Sequence, residues 1–190
     1  MTNYPYLIAS LPDFQPDCEP HPFDHAELVT FLKAQCPERD ARRIDWLEAG
    51  LEPANLGHAF YERVARSRCR FLREYFAFDR RVREAKVAFL AGNPLPEGPV
   101  EERALLEGLF AGKNILEREK QLDRLYWQKA EELTQFNLFD IDVVLAFLAK
   151  AHIVRRWTEL DPATGAELFS KLVDEVRGTF TGVHYDPNAK

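Results

Sequence analysis

Several groups of residues in this chain have types that could do chemistry, and their spacing tests each one. Cys18, His21 and His25, with Cys36 further on, are ligand types that zinc accepts. The paired spacing of a zinc site is missing, however, and Pro16, Pro20 and Pro22 intrude, so the segment reads as irregular polar chain leading into a helix. Gly108-Leu-Phe-Ala-Gly-Lys-Asn114 looks superficially like a phosphate loop. It has Glu107 where the first glycine belongs and Asn114 where magnesium needs Ser or Thr, and no strand precedes it. Cys69 lies between Arg68 and Arg70, which would lower a thiol pKa, but on a helix those neighbours point elsewhere. The acid pairs Glu101–Glu102, Glu117–Glu119 and Glu131–Glu132 have the spacing of solvated helix faces, and His152 sits inside an apolar run. There is no Gly-x-Ser-x-Gly elbow. The expectation is a chain that is not an enzyme, with no catalytic, cofactor or metal site.

The remaining candidates are Arg63, Arg66, Arg70, Arg73, Arg80 and Arg83. They read as a solvated face, a protein interface or a nucleic-acid face. The aromatics among them, Phe71, Tyr75, Phe76 and Phe78, have core spacing rather than that of a base-stacking platform. From Glu62 to Lys86 nine Lys/Arg stand against four Asp/Glu, a net of +5, which leaves −11 for the rest of a chain of net charge −6. An acidic chain disfavours general nucleic-acid binding, and a basic helix within it suits an acidic protein partner.

These arginines need a helix to position them. From Leu56 to about Leu90 there is no proline, and Phe60, Val64, Phe71, Tyr75, Phe78, Val82 and Phe89 recur in steps of three and four. A single helix there would run roughly 50 Å at ~1.5 Å per residue, the shape of a strut. An isolated chain could also dimerise through a seam at Val64, Phe71 and Phe78.

Around this element, five of the twelve prolines fall in the first twenty-two residues. Tyr4–Leu11 therefore reads as an extended strap or short strand rather than a helix. Asp24 with Glu27 forms a capping signature for a helix to about Cys36. A second helix starts at Pro37 and ends at Gly50, and Asn55 is the cap expected for the long third one. Gly92–Pro99 is a loop at which two lobes could hinge. Helices follow at Glu101–Phe110, from Ile115 to about Phe136, and from an Asp140 cap to Trp157, the last apolar enough to be the centre of the core. Asp161-Pro162 opens the final helix, with Leu168, Leu172, Val173 and Val176 turned inward, and residues 181–190 read as a flexible tail. The sequence predicts an all-α fold: one domain over 1–180, a bundle of long antiparallel helices with an extended N-terminal strap. The first basic residue is Lys33 and no apolar run approaches the length of a membrane span, which points to the cytoplasm. Three cysteines, an odd number, suit reduced thiols.

Several stretches taken together resemble a known family. They are Tyr4-Pro-Tyr-Leu-Ile-Ala-Ser-Leu-Pro-Asp-Phe14, Phe71-Leu-Arg-Glu-Tyr-Phe-Ala-Phe-Asp79, Asn114-Ile-Leu-Glu-Arg-Glu-Lys-Gln-Leu-Asp123, Phe139-Asp-Ile-Asp142 and Arg155-Arg-Trp157. The chain resembles an uncharacterised bacterial family encoded in V-type ATPase operons, where it stands in the place of the C-type socket protein of that enzyme (d-type in eukaryotes). The resemblance implies a non-enzymatic part of the central stalk of an ion-transporting rotary machine. Such a part is a helical socket joining the shaft to the membrane ring, peripheral to the membrane and without direct insertion. C-type socket proteins have three related helical modules, and this chain has room for about half of that. The alternative is a stand-alone helical adaptor that binds an acidic protein through the arginine face.

Overall fold

Pro5 lies in the first turn of a helix, where a missing N–H is no loss because that position has no intrahelical partner. The opening segment is accordingly helical rather than extended, and α1 spans Tyr4–Ala9. The computed structural model describes residues 4–16 and 20–179, and among these no strand occurs. After α1 come α2 (His25–Gln35), α3 (Glu38–Leu51), α4 (His58–Ala65), α5 (Arg70–Leu90), α6 (Val100–Phe110), α7 (Ile115–Thr134), α8 (Ile141–Thr158) and α9 (Pro162–Thr179), with one 3-10 turn at Pro53–Asn55. The fold is an all-α bundle. A strap persists only in the non-helical chain after α1, where Phe14 packs 4.9 Å from Phe23 and stacks on Phe147 at 5.5 Å. Cys18 and the 181–190 tail lie outside the described residues.

Helix starts follow from side chains that accept orphan backbone donors. Asp24 accepts the Glu27 N–H at 2.9 Å, Asn114 that of Glu117 at 3.2 Å, and Asp140 those of Asp142 and Val143 at 3.0 and 3.3 Å. Asp161 accepts the Thr164 N–H at 2.9 Å. Asn55 does not cap α4; Gly57 holds that position, and the Asn55 amide donates to the Ala49 carbonyl at 3.1 Å.

The expected 50 Å strut is two helices. Arg66–Cys69 breaks it: the Ser67 hydroxyl accepts the Cys69 N–H at 3.2 Å, and Arg73 donates to the Ser67 carbonyl at 3.1 Å. The chain reverses there, so α4 folds back antiparallel on α5. Phe60 meets Phe76 edge-on at 5.1 Å, and the Tyr61 hydroxyl reaches Asp79 at 2.6 Å. A straight helix would have left Phe60 and Val64 with nothing to pack on, whereas the reversal buries the seam inside one chain. Val64, Phe71 and Phe78 are all buried within the chain.

Three apolar clusters result. In the first, α1–α4, the front of α5 and the end of α7 surround α8, whose Val144, Leu145, Leu148 and Ala149 are fully buried at the centre. The second joins the back of α5 (Phe78, Val82, Ala85) to α6 and the start of α7. The 92–99 loop contributes Leu95 to it. The third packs Trp127 of α7 against Ile153, Val154 and Trp157 of α8, so α7 runs through all three clusters and α5 through the first two. The last helix departs from expectation: Leu168, Phe169 and Leu172 are 60%, 68% and 57% exposed, so the α9 apolar strip does not turn into the core.

Gly50 also has a different role from the one its sequence position suggests. It is the penultimate residue of α3, one before the helix ends, and a Cβ there would overlap the rings of Phe76 and Phe60. Gly50→Ala should therefore destabilise the chain by about 1–3 kcal/mol through overpacking, measured as a shift in urea midpoint at constant m-value. An unchanged midpoint would show that the two rings give way freely.

Candidate functional site

Four arginines gather where α4 turns into α5. Arg63 lies on α4 with its guanidinium 5.5 Å from the centre of the Trp46 ring. Arg66 caps α4, and Arg70 opens α5. Arg68, left out of the helical-face set, stands beside them because the turn replaces the helix that would have pointed it away. All four are exposed, and none makes an ion pair among the described residues. The other candidates are held internally. Arg73 grips the turn through Ser67 and pairs with Glu74 at 3.2 Å. Arg80 pairs with Glu84 at 2.7 Å, and Arg83 with Asp79 at 3.0 Å. The six predicted arginines thus form no single stripe; three of them, with Arg68, form a basic turn.

The other sequence candidates disperse. His25 is buried and bonds Glu48 at 2.9 Å, leaving its Nδ1 and the Glu48 Oε1 without partners. No group of three or more His, Cys, Asp or Glu among the described residues is placed to hold a metal ion. Asn114 spends its side chain on the α7 cap. The Cys69 thiol is buried 3.5 Å from Asp142, and desolvation pushes its pKa up to about 11, the opposite of an activated thiolate.

A polar cleft lies between the end of α3 and the helices α5, α7 and α8, with a volume of about 270 Å³. Its acids are Asp79, Glu119 and Asp123, its cations Arg83, Lys86 and Arg156, and Tyr75, Tyr126 and His152 also line it. Asp79, buried on the apolar face of α5, accepts from Tyr61 of α4 at 2.6 Å, Tyr126 of α7 at 2.8 Å and Arg83 at 3.0 Å. Asp123 ties α7 to α8, accepting on Oδ2 from Arg156 and from the Trp157 indole, the latter at 2.7 Å. Burial raises the Asp123 pKa, against the opposing pull of Arg156. Burial also drives the Tyr61, Tyr75 and Tyr126 phenols well above their ordinary range, so each stays protonated.

Sequence reasoning missed this cleft. The available signal was a charge at a core position: Asp79 falls between Tyr75 and Val82 on the buried face of α5, and Asp123 between Leu122 and Trp127 on α7. Three of the stretches that carry the resemblance, Phe71–Asp79, Asn114–Asp123 and Arg155–Trp157, meet in this network.

Asp79→Ala would strand two phenols and a guanidinium, and should cost about 3–5 kcal/mol. Tyr61→Phe, which keeps the carboxylate paired, should cost roughly 1 kcal/mol. Chemical denaturation of both variants checks the ratio, and equal losses would mean that Asp79 does not link the helices. His152 gives a pH prediction. Its pKa is pushed down to about 4 by burial first, then by Arg155, with Arg156 and His25 adding to the effect and Glu48 opposing it. The unfolded chain therefore binds this proton more readily than the folded one between pH ~6.5 and ~4. The stability contribution is complete above that window and is lost as pH falls through it, by about 2 kcal/mol at pH 5. His152→Gln should flatten this part of the stability–pH curve, and a curve identical to that of the native chain would remove His152 as the cause.

No curated protein and no solved structure gives a significant match to the chain. Residues 95–179, from within the 92–99 loop through α9 and less than half of the chain, match the sequence profile of a family described as "Protein of unknown function (DUF2764)".

Proposed function

We propose that the chain is a non-enzymatic, protein-binding component of a bacterial V-type ATPase. In this reading it stands in the place of the C-type socket protein and links the central shaft to the membrane ring from the cytoplasmic side. The observation that carries the reading is a pair of uncovered surfaces at opposite ends of one rigid helix. The basic turn sits at the start of α8, where Cys69 meets Asp142. Helix α9, with its bare apolar strip, leaves from the other end, after a short link from Thr158 to Pro162. Eighteen residues of α8 separate the two by ~27 Å.

A linker must hold two partners at once, and these surfaces differ in kind. One is cationic and suits an acidic partner. The other is apolar and gains by being covered. No helix among the described residues is long and apolar enough to cross a membrane, so contact with the ring would be made through protein. The alternative is a stand-alone adaptor that uses the basic turn alone on an acidic protein outside any rotary machine. The unpaired arginines favour that reading equally.

Tagged protein recovered from native membranes, with mass spectrometry of what is retained, decides between them. Shaft and ring proteins in near-equal amounts are expected. Arg66→Glu, Arg68→Glu and Arg70→Glu together should release one set, and Leu168→Ser with Leu172→Ser the other, with helix content unchanged by circular dichroism in both cases. Retention of an unrelated acidic protein, lost with the arginine variant and indifferent to the α9 variant, would overturn the linker and establish the adaptor.

A further inference from the structure

The cleft contains polar atoms that the protein itself does not pair. The Tyr75 side chain is 3% exposed, yet its hydroxyl makes no hydrogen bond among the described residues. Asp123, 7% exposed, takes both of its bonds on Oδ2 and none on Oδ1. Both atoms open onto the cleft, where an occupant can hydrogen-bond to them in place of water.

The outer part of the cleft has the complementary property. Lys86 and Arg156 both reach the same carboxylate, Glu119, and each only at 3.4 Å. Both are half-exposed; Lys86 has only this long contact, and Arg156, which also grips Asp123, keeps further guanidinium N–H donors free. Glu119 and Asp123 stand one helical turn apart on α7, and Arg156 bridges them, so the cations and the free Asp123 oxygen adjoin one another in the cleft. Beside them Val82, Leu122 and Ile153 supply apolar wall.

Charge balance selects the ligand class. Three carboxylates pair with three cations along the cleft, and His152 is neutral at pH 7, so the lining carries no net charge. An isolated amine or an isolated carboxylate would bring an uncompensated charge into a partly desolvated space. A molecule that is neutral overall with its charges apart would not. We propose that this cleft binds a small zwitterion of the α-amino-acid class. Its ammonium donates to Asp123 Oδ1 and the Tyr75 hydroxyl, its carboxylate accepts from Lys86 and Arg156, and an aliphatic side chain lies on Leu122 and Val82. A volume of about 270 Å³ admits a ligand of that size and little more.

The site is independent of the protein-binding surfaces and is tested on the purified chain. Isothermal calorimetry with L-leucine and L-valine should show saturable binding with a Kd of about 1 mM or tighter. Isovalerate and isoamylamine, each lacking one of the two charges, should bind at least about tenfold more weakly. Lys86→Ala and Asp123→Asn should each weaken the amino acid by a similar factor. Tyr75→Phe separates binding from folding: it removes an unpaired hydroxyl, so the variant should be at least as stable as the native chain while binding less well. Absence of saturable heat with all twenty amino acids at about 10 mM would overturn the proposal and leave the cleft to water. Binding that persists unchanged in both Lys86→Ala and Tyr75→Phe would overturn it equally.

Discussion

The buried carboxylate of Asp79 is the constraint on which this bundle's geometry depends. Apolar packing is non-directional, and a helix can slide along an oily neighbour at little cost. A carboxylate that accepts from phenols on two other helices and from a guanidinium on its own cannot be moved by a turn without leaving several buried groups unpaired. Asp40 repeats the device between α1 and α3, accepting from Tyr4 at 2.6 Å and Arg43 at 2.8 Å. Asp123 repeats it between α7 and α8. Each joins helices that the apolar clusters alone would hold together without fixing their register.

Much of the fold was legible because helix starts are local chemistry. Asp24, Asp140 and Asp161 announce their helices through side-chain oxygens placed two or three residues before the donors they accept, and nothing distant alters that. The central position of α8 was legible for a related reason, since a helix apolar on most of its faces has to be enclosed. The α4–α5 break was hidden by the same periodicity that revealed the helices. A turn of four residues preserves the three-and-four rhythm of Phe60, Val64, Phe71 and Tyr75, and that rhythm records which residues share a face, not whether the chain has reversed. Pro5 misled in the other direction, because proline forbids helix interiors and not first turns.

The candidate sites were less legible, and the reasons differ. The basic turn depends on a loop that brings Arg68 to its neighbours, so a helical wheel excludes the residue that completes it. The cleft is assembled from helices far apart in sequence, with Asp79 and Asp123 disguised as surface charges on amphipathic helices. Helix α9 shows the limit of amphipathicity as evidence: Leu168 and Leu172 mark an apolar face, but no pattern within a helix states whether the chain itself covers it.

These observations bear on how the proposed linker would carry load. Force entering at the basic turn reaches Cys69 and Asp142 at the start of α8, and force entering at α9 reaches Thr158 at its end. Between those points α8 is clamped to α7 by Lys150 on Glu131 at 2.9 Å and by the Asp123 bonds. Helix α7 is clamped in turn to α5 through Tyr126. The cleft lies beside this ladder and shares Arg156 and Asp123 with it. A zwitterion seated there would pair the unsatisfied oxygen of Asp123 and draw Lys86 of α5 and Arg156 of α8 toward one carboxylate. The proposed ligand would thus tighten the contact between the helices along which the proposed load runs, and its binding energy would add to the resistance of that contact to shear.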